Sequence, residues 1–155
     1  MSRSTHTLIR SLDRIPGLYP LLAFLTARRV VVRGWSMRPT LSPGERVLFD
    51  RLAYQAGDPR RGDIVLAVHP SRPRVRMIKR VAGTPGDIVA GPDGTLVLGE
   101  DECWLVGDAL DSSTDSRQLG PVRRRDILAR AWLVYWPAER MRFVRHGRSS
   151  LPPKA

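Results

Sequence analysis

Three short segments of this sequence share one order of residue types: PGERVL at 43–48, RGDIVL at 61–66 and PGDIVA at 85–90. In each segment, a glycine and an acidic residue precede β-branched side chains. A glycine and a polar residue directly before a β-branched run are typical of a tight turn that leads into a short strand. The intervals between the segments are unequal, so they predict strands and turns rather than an internal repeat.

Further strand-like runs extend this pattern along the chain. We predict a mainly β fold of curled, barrel-like antiparallel sheets, with a short N-terminal helix and little other helix. A length of 155 residues with 42% hydrophobic content suits one domain. The expected organisation is an N-terminal apolar or amphipathic segment over 1–28, a β domain over 29–136 and a loose basic tail over 137–155. The further strands are expected at 29–33, 74–82, 95–98, 103–106 and 127–135.

The most apolar run, at 15–27, lies between Arg14 and Arg28 and contains two prolines and a glycine. A membrane span needs about 20 mostly apolar residues, which this run does not reach. It also lacks the small-residue cleavage site of a secretory signal. We therefore expect a short amphipathic or interfacial helix and a candidate peripheral membrane contact at 15–27.

The net charge of +11 and the pI near 11.3 favour anionic partners. The arginines are scattered, however, and no helix-turn-helix, RNP or zinc-finger pattern accompanies them, so nucleic-acid binding is not expected as the main function. Cys103 is the single cysteine, and the three histidines lie far apart in the sequence. No disulfide, metal site or cofactor is predicted.

Lys79 stands out because the chain contains 24 arginines and only one other lysine, Lys154. Arginine keeps its proton in proteins, whereas a lysine desolvated by apolar neighbours has a lowered pKa and acts as a base. Lys79 lies in the strand-like run RVRMIKRVAG, which supplies such neighbours. A surface lysine at a strand edge is the other interpretation, and composition alone does not separate the two.

Ser36 lies between the strand that ends at Gly34 and a loop that contains Pro39 and Pro43. This backbone fixes a side chain in place, which suits a nucleophile, although a turn serine bonded to its own backbone fits the same residues. Together the two residues suggest a chemical hypothesis: neutral Lys79 takes the proton from Ser36, which attacks a carbonyl carbon. This Ser-Lys chemistry needs neither histidine nor metal.

Three segments resemble, in order, the nucleophile, general-base and C-terminal boxes of type I signal peptidases, the Ser-Lys peptidases of family S26. They are GWSMRPTL at 34–41, KRVAGTPGD at 79–87 and GDALDSSTDSRQLGPV at 107–122. Each box alone is weak, but three in order over most of 30–136 make a specific match. The resemblance implies a serine endopeptidase with Ser36 as nucleophile and Lys79 as general base, acting through an acyl-enzyme.

The resemblance also implies that Ser113 orients the lysine amine and that Asp115 and Arg117 form a supporting ion pair. It places the oxyanion hole at the backbone N–H of Ser36. Some members add a side-chain hydroxyl at the position held here by Gly34, so the second donor at Gly34 is expected to be the main chain or a water molecule.

The sequence departs from the family pattern in three respects. Ala109 stands where the family usually has asparagine, and the sequence shows neither the usual N-terminal spans nor a large β insertion between the second and third boxes. In this it resembles the compact subgroup that includes organellar inner-membrane peptidases and the proteases that mature nickel-type superoxide dismutase.

The implied substrate is a precursor protein that loses an N-terminal extension: either a signal peptide or the propeptide of a nickel-type superoxide dismutase. The expected location is peripheral at the inner (plasma) membrane, with the cytoplasm as the alternative. Two other functions fit parts of the sequence. A LexA-like autoprotease shares the Ser-Lys chemistry, but no recognition helix precedes Ser36, and a basic nucleic-acid-binding β-barrel leaves Lys79 unexplained.

Overall fold

The structure, a computed structural model, describes residues 17–55 and 57–147. Residues 1–16 of the predicted N-terminal segment 1–28 therefore lie outside the described residues. Residues 148–155 of the predicted tail also lie outside them. The helices are α1 (Leu18–Thr26) and α2 (Ser116–Leu119). The strands are β1 (Arg28–Val31), β2 (Arg46–Asp50), β3 (Ile64–His69), β4 (Arg72–Gly83), β5 (Ile88–Gly91), β6 (Gly94–Val97), β7 (Glu102–Val106), β8 (Val122–Arg123), β9 (Ile127–Trp136) and β10 (Arg142–Phe143).

The fold is mainly antiparallel β, as predicted. Seven strands lie in the order β1-β2-β9-β3-β4-β7-β8, with β10 paired to β9, while β5 and β6 form a separate hairpin. The sheet is open, because β1 and β8 stand at its two ends. It is also curled, since β1 and β4 are separated by three strands and yet line one groove.

The three turn segments of the sequence precede β2, β3 and β5, which confirms the strands predicted there. They also share one hydrogen-bond pattern. A backbone N–H three residues earlier donates to the acidic side chain, at 2.9 Å for Glu45, 3.0 Å for Asp63 and 2.7 Å for Asp87. The glycine before each acid has a positive φ, which lets the chain reverse without steric cost.

The N-terminal helix α1 follows the predicted apolar run. Ala23 is buried beneath it, and the Tyr19 hydroxyl donates to Asp50 Oδ2 at 2.7 Å, which fixes the helix on β2. Leu21, Phe24 and Leu25 point outward, with exposed fractions of 54%, 47% and 68%. No helix in the described part of the chain is long and apolar enough to cross a bilayer.

The structure does not match the predicted loose tail over residues 137–147, the part of the tail that the structure describes. A 3₁₀ turn at Ala138–Arg140 leads into β10, which pairs with β9, and Val144 is buried in the core. Arg142 also forms an ion pair of 2.8 Å with the buried Glu45. A two-residue strand is too short to display apolar alternation, so no pattern of apolar residues predicts it.

Candidate active site

The loop between β1 and β2 presents Ser36. Gly34 has a φ of +81°, a conformation that side chains rarely adopt, and directs the chain away from the sheet. Met37 is only 2% exposed and packs in the main core cluster, so it anchors the loop directly after the serine. Ser36 itself is half-buried, and its carbonyl oxygen accepts the N–H of Ala109 at 3.0 Å.

Lys79 lies on β4 with an exposed fraction of 4%. Strand alternation places Met77 and Val81 on the same face, and both are buried in apolar surroundings. Burial lowers the pKa of the Lys79 amine, and the nearby charge of Arg117 lowers this pKa further, while Asp115 opposes the shift. The lysine therefore has the environment that favours a neutral amine.

The amine of Lys79 is held by a chain of side chains from the third box. Its Nζ donates to Ser113 Oγ at 2.8 Å, and Ser113 Oγ donates to Asp115 Oδ2 at 2.6 Å. The direction follows from the carboxylate, which only accepts, so the serine proton must point to Asp115. The serine oxygen therefore accepts a hydrogen bond from an N–H of the lysine, and the lone pair of a neutral amine points elsewhere.

Asp115 is fully buried and is the fixed end of this chain. Arg117 donates to both carboxylate oxygens at 2.9 Å, and Gly107 N–H donates to Oδ2 at the same distance. Burial opposes ionisation of Asp115, but these hydrogen bonds and that from Ser113 outweigh it, so its pKa is lowered. The carboxylate stays ionised and accepts the Ser113 proton.

Gly107 lies where the nucleophile loop meets the third box. A Cβ built at this position would lie 2.6 Å from the carbonyl oxygen of Ser36 and 2.6 Å from Ser113 Cβ, and closer still to Ser113 Oγ. Backbone cannot retreat from such a contact as a flexible side chain can. Only glycine therefore allows the Ser36 carbonyl and the Ser113 side chain to pack this closely against position 107.

Ser36 and Lys79 line one groove of about 480 Å³. Its walls come from residues 28–34 and from residues 76–79 of β4, and Leu66 of β3 contributes to its lining. Gly34 lies in the first wall, and its expected part in an oxyanion hole with the Ser36 N–H stays a prediction. Within the part of the chain that the structure describes, no hydrogen bond joins the Ser36 hydroxyl to the Lys79 amine.

A second polar cluster was missed by the sequence analysis. Arg80 donates to both carboxylate oxygens of Asp108 at 2.7 Å, and Thr40 Oγ1 donates to Asp108 Oδ2 at 2.5 Å. These residues come from the general-base, C-terminal and nucleophile boxes, so the cluster joins all three. The sequence shows only that Arg80 and Asp108 lie within two of the three boxes. Their positions in the sequence do not predict that the two side chains form an ion pair.

Comparisons with known proteins show the family of this chain. The sequence model of the family described as "Signal peptidase, peptidase S26" matches residues 15–102 and 94–136. The chain belongs to this family. It is 39% identical over 116 residues to mitochondrial inner membrane protease subunit 1 of Xenopus tropicalis, which covers 71% of this chain and 70% of that protein.

Two further relatives also carry the name of a protease or a signal peptidase. Mitochondrial inner membrane protease subunit 2 of Mus musculus is 37% identical over 131 residues, covering 79% of this chain and 73% of that protein. Probable signal peptidase I-2 of Synechocystis is 29% identical over 134 residues, covering 68% of this chain and 62% of that protein. The chain is thus a signal peptidase I-like serine peptidase, as the resemblance in its three boxes implied.

Proposed function

We propose that this S26 peptidase is an endopeptidase that removes an N-terminal extension from a precursor protein, with Ser36 as nucleophile and Lys79 as general base. One observation carries the proposal. The half-buried Ser36 and the buried Lys79 line the same groove, and the pKa of the lysine is lowered by its burial. A serine and a neutral amine beside a peptide-sized groove are suited to acyl transfer.

In the first step, the lone pair of Lys79 Nζ takes the Ser36 hydroxyl proton while Oγ attacks the scissile carbonyl carbon. The tetrahedral intermediate expels the amine of the downstream peptide, which takes the proton from Lys79, and an ester remains on Ser36. Water then attacks this ester and loses its proton to Lys79. The second tetrahedral intermediate collapses as the bond from the carbonyl carbon to Ser36 Oγ breaks, Oγ takes the proton back from Lys79, and the upstream product leaves with a free carboxyl terminus. The Ser36 N–H and the main chain at Gly34 are the donors proposed for the negatively charged carbonyl oxygen.

Ser113, Asp115 and Arg117 act as positioning residues in this proposal. Because one N–H of Lys79 is engaged by Ser113 Oγ, the amine is not free to rotate. The fully buried Asp115, held by Arg117, keeps Ser113 in place. Such fixation reduces the reorganisation needed when the amine accepts a proton.

The groove suits an extended peptide. β1 is an end strand of the sheet, and β4 pairs with β7 only through Arg80, Val81 and Gly83, so backbone groups of the β4 residues before Arg80 remain available to hydrogen-bond a substrate.

The proposed substrates are exported preproteins or a nickel-type superoxide dismutase precursor. The exposed apolar side chains of α1 and the membrane location in the relatives' names support a peripheral position at the inner membrane; the cytoplasm is the alternative.

Digestion of a mixture of unfolded peptides by the full chain tests the chemistry without knowledge of the precursor. We expect new peptide termini with the wild-type chain and with Ser71→Ala, a matched control in the exposed β3–β4 turn. We expect none with Ser36→Ala or Lys79→Arg. Equal cleavage by all four proteins would contradict the proposal.

A further inference from the structure

The rim of the active-site groove is strongly basic. Among the described residues that line it, four are arginines and none is acidic. The arginines are Arg28, Arg29, Arg33 and Arg76, and all four are exposed. The groove lining therefore combines an apolar interior with positive charges at its edge.

These four guanidinium groups are available to a ligand. None has a carboxylate partner among residues 17–55 and 57–147, whereas other arginines of the chain, such as Arg80 and Arg117, are held by aspartates. Among the described residues, Arg76 donates only to the carbonyl oxygens of Pro73 and Val75 on its own strand, β4, which leaves its charge uncompensated. A row of uncompensated charges of one sign attracts the opposite charge.

The arginines are distributed along the groove rather than at one point. Arg33 lies three residues before Ser36, and Arg28 lies five residues further back along an extended segment, on the order of 17 Å away. Arg76 lines the groove with residues of the opposite wall, on β4. A peptide bound along this groove would pass the basic rim over about five residues.

We propose that this peptidase selects precursors that carry aspartate or glutamate within about five residues of the scissile bond, through ion pairs with the arginine rim. This inference rests on the proposed function and adds a substrate class to it. Apolar groove residues and strand edges accept the peptide, and the rim distinguishes its charge. Arg28 and Arg33 are specificity-determining residues in this proposal.

Each rim contact is partly exposed to solvent, so its effect is modest. We expect each acidic substrate residue to raise kcat/KM by about 1.5- to fivefold, mainly by lowering KM. The effects of two acidic residues in one substrate should combine. The preference should weaken as salt is raised, because dissolved ions screen ion pairs that are exposed to solvent. A preference based on shape would not respond to salt in this way.

The experiment counts acidic residues around the bonds cleaved in a peptide mixture of known composition, read by mass spectrometry. The wild-type chain should show enrichment of aspartate and glutamate over the mixture. Arg28→Glu/Arg33→Glu, which sets two carboxylates against the remaining Arg29 and Arg76, should remove it, and Arg28→Gln/Arg33→Gln should weaken it. Arg123→Glu/Arg125→Glu, which makes the same charge change at exposed positions outside the groove, should keep it.

The outcomes separate this inference from the proposed function. The inference is overturned, and the peptidase proposal stays intact, if cleavage depends on Ser36 but shows no acidic enrichment. The same holds if both double glutamate variants change the enrichment equally. Absence of any Ser36-dependent cleavage overturns both. If Arg28→Glu/Arg33→Glu keeps the enrichment but loses binding to vesicles of anionic lipid, the rim serves a membrane and the inference is wrong.

Discussion

At the scale of single residues, the protonation of Lys79 decides what the groove can do. Lys79→Arg retains positive charge but removes a base that can be neutral. We expect the variant to lose at least about a hundredfold in kcat/KM, the range of a missing general base. Peptide digestion followed by mass spectrometry measures the loss, and near-wild-type turnover would contradict the assignment.

A folding control accompanies this variant, since the larger guanidinium enters a buried site. Lys79→Met is similar in length and carries no charge, so it should be equally inactive. It should also unfold at a higher temperature at neutral pH. The pKa of Lys79 is lowered in the folded protein, so a protonated lysine destabilises folding below that pKa, and this effect vanishes above the unfolded value of about 10.4.

The pH dependence of the rate tests the charges around the lysine. Activity should rise with pH as Lys79 loses its proton, because only the neutral amine is a base. Arg117→Gln removes a positive charge that lowers the Lys79 pKa and leaves Asp115, which raises it. The rising limb of kcat/KM should therefore move to higher pH. An unmoved or downward-shifted limb would show that another group titrates.

Gly107 gives a steric test at the same scale. Gly107→Ala places a methyl group against the Ser36 carbonyl and the Ser113 side chain. We expect a loss of about 1–3 kcal/mol in the free energy of unfolding and a larger proportional loss of cleavage, because both site residues must shift. Urea unfolding and peptide digestion measure the two effects. Gly57→Ala, whose Cβ meets its nearest atom at 3.8 Å, is the control that should change neither.

Single residues were also the level at which sequence reasoning went furthest. Ser36 and Lys79 became candidates because each differs from its surroundings, a polar residue between fixed turns and a lysine in an arginine-rich chain. Ser113, Asp115 and Arg117 needed the family resemblance, because DSSTDSR by itself looks like any polar turn. Gly107 was quoted within a box, but its crowding depends on two segments that meet only in the fold.

At the scale of elements, the Arg80–Asp108 pair joins β4 to the segment after β7. The two side chains are 8% and 13% exposed, so Arg80→Met leaves a nearly buried carboxylate without its partner. We expect a loss of about 3–5 kcal/mol in the free energy of unfolding. Urea denaturation measures it, and Arg80→Met/Asp108→Leu should lose less than Arg80→Met alone.

Asp58→Asn is the matched control for this pair. Asp58 bonds Arg124 but is 89% exposed, so its loss should cost less than about 1 kcal/mol. Equal destabilisation by Arg80→Met and Asp58→Asn would mean that the Arg80–Asp108 pair does not hold the elements together.

The strands were predictable because their turns carry local chemistry. The glycine–acid pairs before β2, β3 and β5 specify both the reversal and the hydrogen bond that closes it. The order of the strands in the sheet was not predictable in the same way. β9 lies between β2 and β3, a pairing between residues far apart in sequence, and no local pattern encodes it.

At the scale of the whole molecule, the outward side chains of α1 test the proposed membrane position. Leu21→Glu/Leu25→Glu should weaken sedimentation of the full chain with anionic vesicles, because it places charge on the exposed apolar face. Ile88→Glu/Val97→Glu alters two similarly exposed side chains of the β5–β6 hairpin and should have little effect. Equal loss in both variants, or no binding by the wild-type chain, would argue against this position.

The most direct test of the Ser36–Lys79 peptidase compares protein N-termini, by mass spectrometry, in cells that carry the wild-type chain, Ser36→Ala, Lys79→Arg or the control Ser71→Ala. We predict that the same precursor or set of precursors keeps its N-terminal extension with both site variants and loses it with the wild type and the control. A single retained extension would indicate a dedicated maturation protease, and many retained signal sequences a general signal peptidase. Identical N-termini in all four cells would contradict the proposed activity.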